Sequence, residues 1–230
     1  MHEWMKRHLG FLMENEEWFA RVRATCGDQM QCGRGCALCC HGLFDISFVD
    51  ALLLAEGYGR LHAPQKERVF ARARLTENVI ESELPGIASP FLLHGLPQSL
   101  LDRIVESARS PRCPLLGDQD ECLVYASRPL ACRLEGAPMV DSRDGLFGDW
   151  CELNFGQGLP PGIEEILIRD YYAIQAAEDT SNEVMADLLL GRRDPEVTVF
   201  IPSVITEHFS LWERFTAAIF CGRAAEPRTN

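Results

Sequence analysis

The chain has 230 residues, ten of them cysteine, with 47% hydrophobic and 24% charged side chains and a formal net charge of −12. That length can bury a real core without disulfide scaffolding. The acidic balance, with a sequence pI ≈ 5.0, excludes both the basic field of a generic nucleic-acid binder and attraction to anionic membrane surfaces. No apolar run approaches the roughly 18 residues of a membrane span, and acids follow the short LGFLM run near the start too soon for a secretory leader. The expected location is the cytoplasm.

Residues 3–24 space Trp4, Leu9, Leu12, Met13, Trp18, Phe19 and Val22 as one face of a helix. Ser47-Phe-Val-Asp50 has the form of a capping box ahead of helical sequence from Ala51 to Gly57, so Asp45 and Asp50 read as turn and capping residues. Residues 64–84 predict a third helix, ended by Pro85-Gly86, and residues 97–109 a fourth. From Cys113 to about Gly158 the character changes to Gly, Pro, Asp and short apolar runs. Cys113 to Tyr125 reads as two short strands around a polar turn, and Arg128-Pro129 opens a helical turn. Residues 139–160 look irregular. A long irregular stretch inside a compact domain needs another source of order, and metal bonds supply one. Helical pattern resumes after Pro160-Pro161-Gly162 to about residue 190, with Tyr171 and Tyr172 as core residues. It breaks at Gly191-Arg-Arg-Asp-Pro195, and a last helix runs from about Ser203 to Ile219. The expected fold is mainly α: a single helical domain over 1–230, with an irregular, metal-stapled cysteine region at about 26–155, a short β-hairpin and C-terminal helices at about 161–221.

The densest chemistry is CGRGCALCCH, residues 32–41, which carries Cys32, Cys36, Cys39 and Cys40. A reducing compartment turns such density toward metal or redox use and away from disulfides. Cys36-Ala-Leu-Cys39 is a knuckle in which one turn presents two sulfurs to one ion, and Gly33 and Gly35 relax the chain ahead of it. Thiolates hold zinc tetrahedrally and also hold iron–sulfur clusters. Adjacent side chains usually point apart. The Cys39–Cys40 pair therefore implies a second metal, a larger cluster or a separate use of one thiol, a buried core thiol at Cys40 being the plain alternative. Cys113, Cys122, Cys132 and Cys151 follow at longer spacings, which suit ligands gathered by a hairpin and loops. His41, directly after Cys40, reads as a local packing or capping residue, with metal ligation the alternative. No H-E-x-x-H, G-x-S-x-G, P-loop or G-x-G-x-x-G motif is present. The flanks of the knuckle lack the βαβ pattern of a thioredoxin-like pair, and no barrel pattern supports a radical-SAM reading.

Taken together, CGRGCALCCH, then CPLL, then CLVYASRPLACRLEG, then Cys151 resembles the zinc- or iron-chelating cysteine-cluster family known by its C-x2-C-x2-C-C signature and its eight cysteines. The resemblance covers about residues 30–155. It implies eight metal ligands: Cys32, Cys36, Cys39, Cys40, Cys113, Cys122, Cys132 and Cys151. Tyr125, Arg128, Pro129 and Arg133 match the family's segment around the later cysteines. Three residues separate Cys32 from Cys36 where the signature has two, so Cys26 is the stand-in if Cys32 does not ligate. Otherwise Cys26 and Cys221 read as ordinary thiols. Some members are described as iron–sulfur oxidoreductases, and flagellin lysine methylases carry a similar pattern. The resemblance thus implies metal binding without fixing a reaction.

Charge adds a constraint. Eight thiolates with two zinc ions leave an anionic centre, and buried charge needs partners. Arg128 and Arg133 are placed in sequence to donate hydrogen bonds to sulfurs, and with Tyr125 they are the candidate cofactor-binding residues. The expectation is a cytoplasmic metal-binding protein with zinc or iron, as single ions or as an iron–sulfur cluster, held by up to eight cysteines. The metal is chiefly structural or supports binding to a protein partner, with no nucleic acid and no membrane. The alternative is an iron–sulfur enzyme, an oxidoreductase or one related to methyl transfer.

Overall fold

The computed structural model describes residues 3–33, 35–83, 93, 96–97, 99–100, 102–103, 112–139, 150–163, 167, 169–191, 193 and 197–206. Among them are six helices: α1 Glu3–Cys26, α2 Phe48–Gly59, α3 Ala63–Glu83, α4 Leu130–Leu134, α5 Tyr171–Leu190 and α6 Ile201–Thr206. The strands are β1 Asp45–Ser47 and β2 Thr198–Phe200. The fold is mainly α, as the helical periodicity requires. The expected helix over 97–109, the stops at Pro85-Gly86 and Asp194-Pro195, the last helix beyond residue 206 and Cys221 lie largely or wholly outside the described residues.

Helix α1 buries Met5, His8, Leu12, Asn15, Trp18, Val22 and Cys26, a stripe with three- and four-residue steps. Two positions on that stripe are polar and Met13 is exposed, so the buried face is rotated from the one the apolar residues alone suggest. Asn15 earns its place by accepting from Arg169 (Nη2 2.9 Å) while donating to the Phe11 carbonyl (2.8 Å). Helix α2 is apolar nearly all round and sits at the centre, packed on α5, α6 and the 3-10 turn Tyr125–Ser127. Its capping is as read from sequence: Ser47 is the N-cap, and its hydroxyl oxygen accepts from the Asp50 backbone N–H at 3.4 Å. The neighbouring turn comes close because residue 57 is glycine; a Cβ there would lie 2.6 Å from the Ser127 Cβ.

The two-stranded sheet is not where the sequence suggested. β1 pairs antiparallel with β2, with Asp45 opposite Phe200 and Ser47 opposite Thr198. The stretch from Cys113 to Tyr125 instead makes a single bridge, Leu116 to Cys122, closed by Gly117 N donating to Glu121 O at 2.7 Å. Its apolar residues, Leu115 and Val124, point into the main core and do not alternate across a sheet. That core joins α1, α2, α5, β2 and α6 to Leu130, Leu134, Ala137 and Phe155 of the cysteine region. Tyr171, expected in the core, is 43% exposed and meets Tyr172 edge-on.

Candidate metal centre

The first cysteine segment is held by two backbone devices. Leu38–Cys40 is a 3-10 turn, closed by Cys40 N donating to Ala37 O at 2.9 Å. This turn brings the two adjacent thiols into a hydrogen bond with each other. The second device ties the segment to the distant cysteines: Cys113 N donates to Cys40 O at 2.7 Å, and His41 bridges Arg112. His41 uses its backbone for this and leaves its side chain exposed.

Around Cys113 the chain folds as a knuckle. The Leu115 backbone N–H donates to the Cys113 sulfur, and the Val124 N–H donates to the Cys122 sulfur in the same i to i+2 fashion. Helix α4 then carries Cys132 against the pair. Burial pushes the Cys113 thiol up to about 12, with Cys122 and Cys39 adding to the rise. Cys132 is pushed higher still, first by burial and then by Cys113, Cys122 and Cys39. The Cys39 thiol is raised first by its bond to Cys40, then by burial, by the Cys40 charge and by Glu135. Cys113 thus feels the charges of Cys39 and Cys122, and Cys132 feels those of Cys39, Cys113 and Cys122.

A second grouping forms at Cys32. Burial is the main cause raising its thiol, and Cys36, Cys151 and Cys39 raise it further. Asn154, 1% exposed, opposes this by donating from Nδ2 to the Cys32 sulfur at 3.1 Å. Its Oδ1 accepts from Gln31 N at 2.8 Å, and Phe155 N donates to Gln29 O at 2.9 Å. The segment carrying Cys151 is thereby laid against the segment carrying Cys32. Cys26, by contrast, is 6% exposed at the end of α1 inside the hydrophobic core.

The arginines stand beside the sulfurs without hydrogen-bonding to them in any contact among the described residues. Arg133, nearly buried, donates to the Arg128 carbonyl (2.8 Å), the Ala126 carbonyl (2.9 Å) and Glu16 Oε1 (2.6 Å). Arg128 donates to the same Glu16 oxygen at 2.8 Å and stacks its guanidinium 3.7 Å from the centroid of the Tyr125 ring. Tyr125 is 57% exposed. The arginines' effect on sulfur is through charge: burial raises the Cys122 thiol while Arg128 and Arg133 oppose that rise, and Arg128 opposes the rise at Cys132. Sequence reasoning missed Glu16 of α1, which accepts from both arginines, and Asn154.

No three Cys, His, Asp or Glu side chains among the described residues close around a common point as a finished coordination shell. The donor set nevertheless fits a thiophilic cation. Its members are soft thiols, and burial disfavours the charged forms of Cys32, Cys39, Cys113, Cys122 and Cys132, with N–H donors on the Cys32, Cys113 and Cys122 sulfurs. A bound cation reverses that balance by replacing the protons. The family model described as "CxxCxxCC: Putative zinc- or iron-chelating domain" matches residues 31–152, more than half of the chain. The chain belongs to the CxxCxxCC family. No curated protein and no solved structure matches it. Within this CxxCxxCC protein the matched span takes in both cysteine groups from Cys32 to Cys151 and ends two residues before Asn154. No helix among the described residues is long and apolar enough to cross a membrane.

Beside the centre lies a cavity of about 690 Å³ between α4, α5 and β1. Asp45, Asp50, Glu135, Glu178 and Asp179 contribute to its lining. Burial first, and Asp50 second, push the Glu178 carboxyl up to about 8, although the Ser47 hydroxyl donates to it at 2.8 Å. Asp50 faces His8 Nε2 at 2.9 Å and accepts from the Leu130 backbone N–H at the start of α4. Its carboxylate therefore joins α1, α2 and α4, a role beyond the capping position assigned to it from sequence.

Proposed function

We propose that this CxxCxxCC protein is a cytoplasmic metal-binding protein in which zinc or iron, held by Cys32, Cys36, Cys39, Cys40, Cys113, Cys122, Cys132 and Cys151, staples residues 32–40 to residues 113–151. The observation that carries this reading is the meeting of the two segments. The Cys113–Cys40 backbone bond joins them, and Cys39 in the first segment acts on Cys113 and Cys132 in the second, which supports one shared thiol neighbourhood. A bound metal would supply cross-links there, and in a closed all-cysteine shell it offers no open position for substrate. The role is then structural, or one that shapes a surface for a protein partner.

A second reading is favoured by the cavity. Glu135 both lines it and acts on Cys39, so a molecule in the cavity would lie near the sulfurs. On that reading the centre is an iron–sulfur cluster serving an oxidoreductase or a methyl-transfer-related enzyme. Elemental analysis with a visible spectrum on protein purified without oxygen tests both. About two zinc atoms per chain without colour supports the structural reading. Iron with matching sulfide and a reducible brown chromophore supports the enzyme. Protein that holds neither metal and takes up neither on reconstitution refutes both.

A further inference from the structure

We propose that Asn154 is a positioning residue for the metal centre: its amide holds the Cys32 sulfur as a ligand beside Cys151, and Gly136 leaves the space that this sulfur needs. The proposal rests on the metal-binding reading and goes beyond it, because Asn154 lies outside the matched family span.

The amide's orientation is forced. Asn154 offers two N–H donors on one side and a carbonyl oxygen on the other. Gln31 N, a donor, lies 2.8 Å from Oδ1, so the oxygen must face it. That leaves both N–H groups of Nδ2 for the other side, where the Gly136 carbonyl takes one and the Cys32 sulfur, at 3.1 Å, takes the second. Turning the amide over would set N–H against N–H and leave the buried carbonyl of Gly136 unpaired. A buried donor fixed on a sulfur sets the side from which that sulfur is held and leaves its other side open to a ligated ion. At Cys113 and Cys122 the equivalent donor is a backbone N–H two residues on. At Cys32 a side chain from the other cysteine segment supplies it.

The space is also shaped for this sulfur. Gly136 has φ +104°, and a Cβ there would stand 2.5 Å from the Cys32 sulfur and 3.3 Å from Asn154 Nδ2. No side chain fits that position while the sulfur occupies it. The extra residue between Cys32 and Cys36 therefore does not remove Cys32 from the ligand set. Asn154 brings in the sulfur that the irregular spacing would misplace, and Cys26 stays in the core.

The test is a double-mutant cycle on the full chain, loaded with zinc or iron according to which the wild type retains. Its readouts are metal affinity against a competing chelator and, after cobalt substitution, the thiolate-to-cobalt charge-transfer band. Asn154→Asp keeps the size and the acceptor for Gln31 but turns a carboxylate toward the sulfur. It is expected to weaken metal binding by about 10–100-fold and to weaken the charge-transfer band. In a Cys32→Ala background the same change should alter affinity less than about threefold, since the two residues act as one unit. Equal losses in both backgrounds would show that Asn154 only supports the backbone and would overturn the assignment, as would unchanged affinity and spectrum in Asn154→Asp. Should Asn154→Asp fail to fold, Asn154→Ala is read by the same cycle. If both fail to fold while Cys32→Ala folds and holds metal, the role is structural and the proposal is wrong. A wild type that binds no metal defeats the underlying reading instead, an outcome visible before any variant is made.

Discussion

Replacing Asp50 with alanine should cost about 3–5 kcal/mol of stability, because two buried groups lose their partner at once. Asp50 is 1% exposed. One oxygen faces His8 Nε2 at 2.9 Å and the other accepts from Leu130 N. Leu130 opens α4, whose N-cap is Pro129 and carries no side-chain cap of its own. The carboxylate reaching over from α2 does that work, and its charge suits the positive end of the helix. In Asp50→Ala the buried Leu130 N–H stands unpaired, at about 1–3 kcal/mol. His8 is left with neither ring nitrogen bonded, since Nδ1 already has no partner, and costs about the same again. Little is returned through Glu178, which at pH 7 largely keeps its proton. Asp50→Asn should cost only about 1–2 kcal/mol, because the amide keeps an acceptor for Leu130 and can turn an N–H toward His8. Urea unfolding at pH 7, followed by far-ultraviolet circular dichroism, measures both. A loss under about 1 kcal/mol for Asp50→Ala, or equal losses for the two variants, would refute the capping argument.

Three further outcomes follow from the same geometry. Glu178, raised from 4.5 to about 8, keeps a proton in the folded chain that the unfolded chain has released. Stability should therefore fall as pH rises from about 4.5 to about 8. Glu178→Gln should flatten that slope, and thermal melts at pH 5.5 and 8.5 that shift as much as wild type's would contradict it. Arg133→Lys gives up the fork that joins Glu16, Ala126 O and Arg128 O, at about 2–3 kcal/mol by urea unfolding, with faster metal loss to a chelator. A variant as stable as wild type would show that the fork contributes nothing. Cys26→Ala, a change within the hydrophobic core, should cost about 1 kcal/mol and leave metal content untouched. Cys132→Ser should lower metal content, and elemental analysis that finds the reverse order would reassign the ligands.

What was legible in the sequence depended on how local its cause was. The knuckle Cys36–Cys39, the Ser47 cap and the α1 and α3 periodicities each rest on residues within one or two turns, so spacing alone reveals them. The sheet was misplaced for the opposite reason. β1 and β2 are three residues each and find each other across most of the chain, while the nearer apolar runs around Cys113 were drawn into the core. Asp50 shows both cases in one residue. Its backbone N–H takes part in the cap read from sequence, and its carboxylate goes to partners 42 and 80 residues away.

The same division runs through the metal centre. Thiol density announces the chemistry, because four cysteines in nine residues need no tertiary context to be conspicuous. The groups that make those thiols usable carry no such mark. Glu16 meets Arg133 across 117 residues, and Asn154 meets Cys32 across 122. A single Glu on a helix and a single Asn in a loop look like ordinary surface residues until the fold pairs the one with two arginines and buries the other against a sulfur. The arginines were singled out as donors to sulfur because charge balance demanded a cation near eight thiols. The fold satisfies that demand at one remove: Glu16 and backbone carbonyls take the hydrogen bonds, and the positive charge alone reaches Cys122 and Cys132. Holding a cation in place with non-sulfur partners keeps the sulfur lone pairs free for metal, whereas direct arginine–sulfur bonds would compete with ligation. On the proposed reading Glu16, the arginines and Asn154 belong to the site as much as the cysteines do, and they are the part that spacing could not disclose.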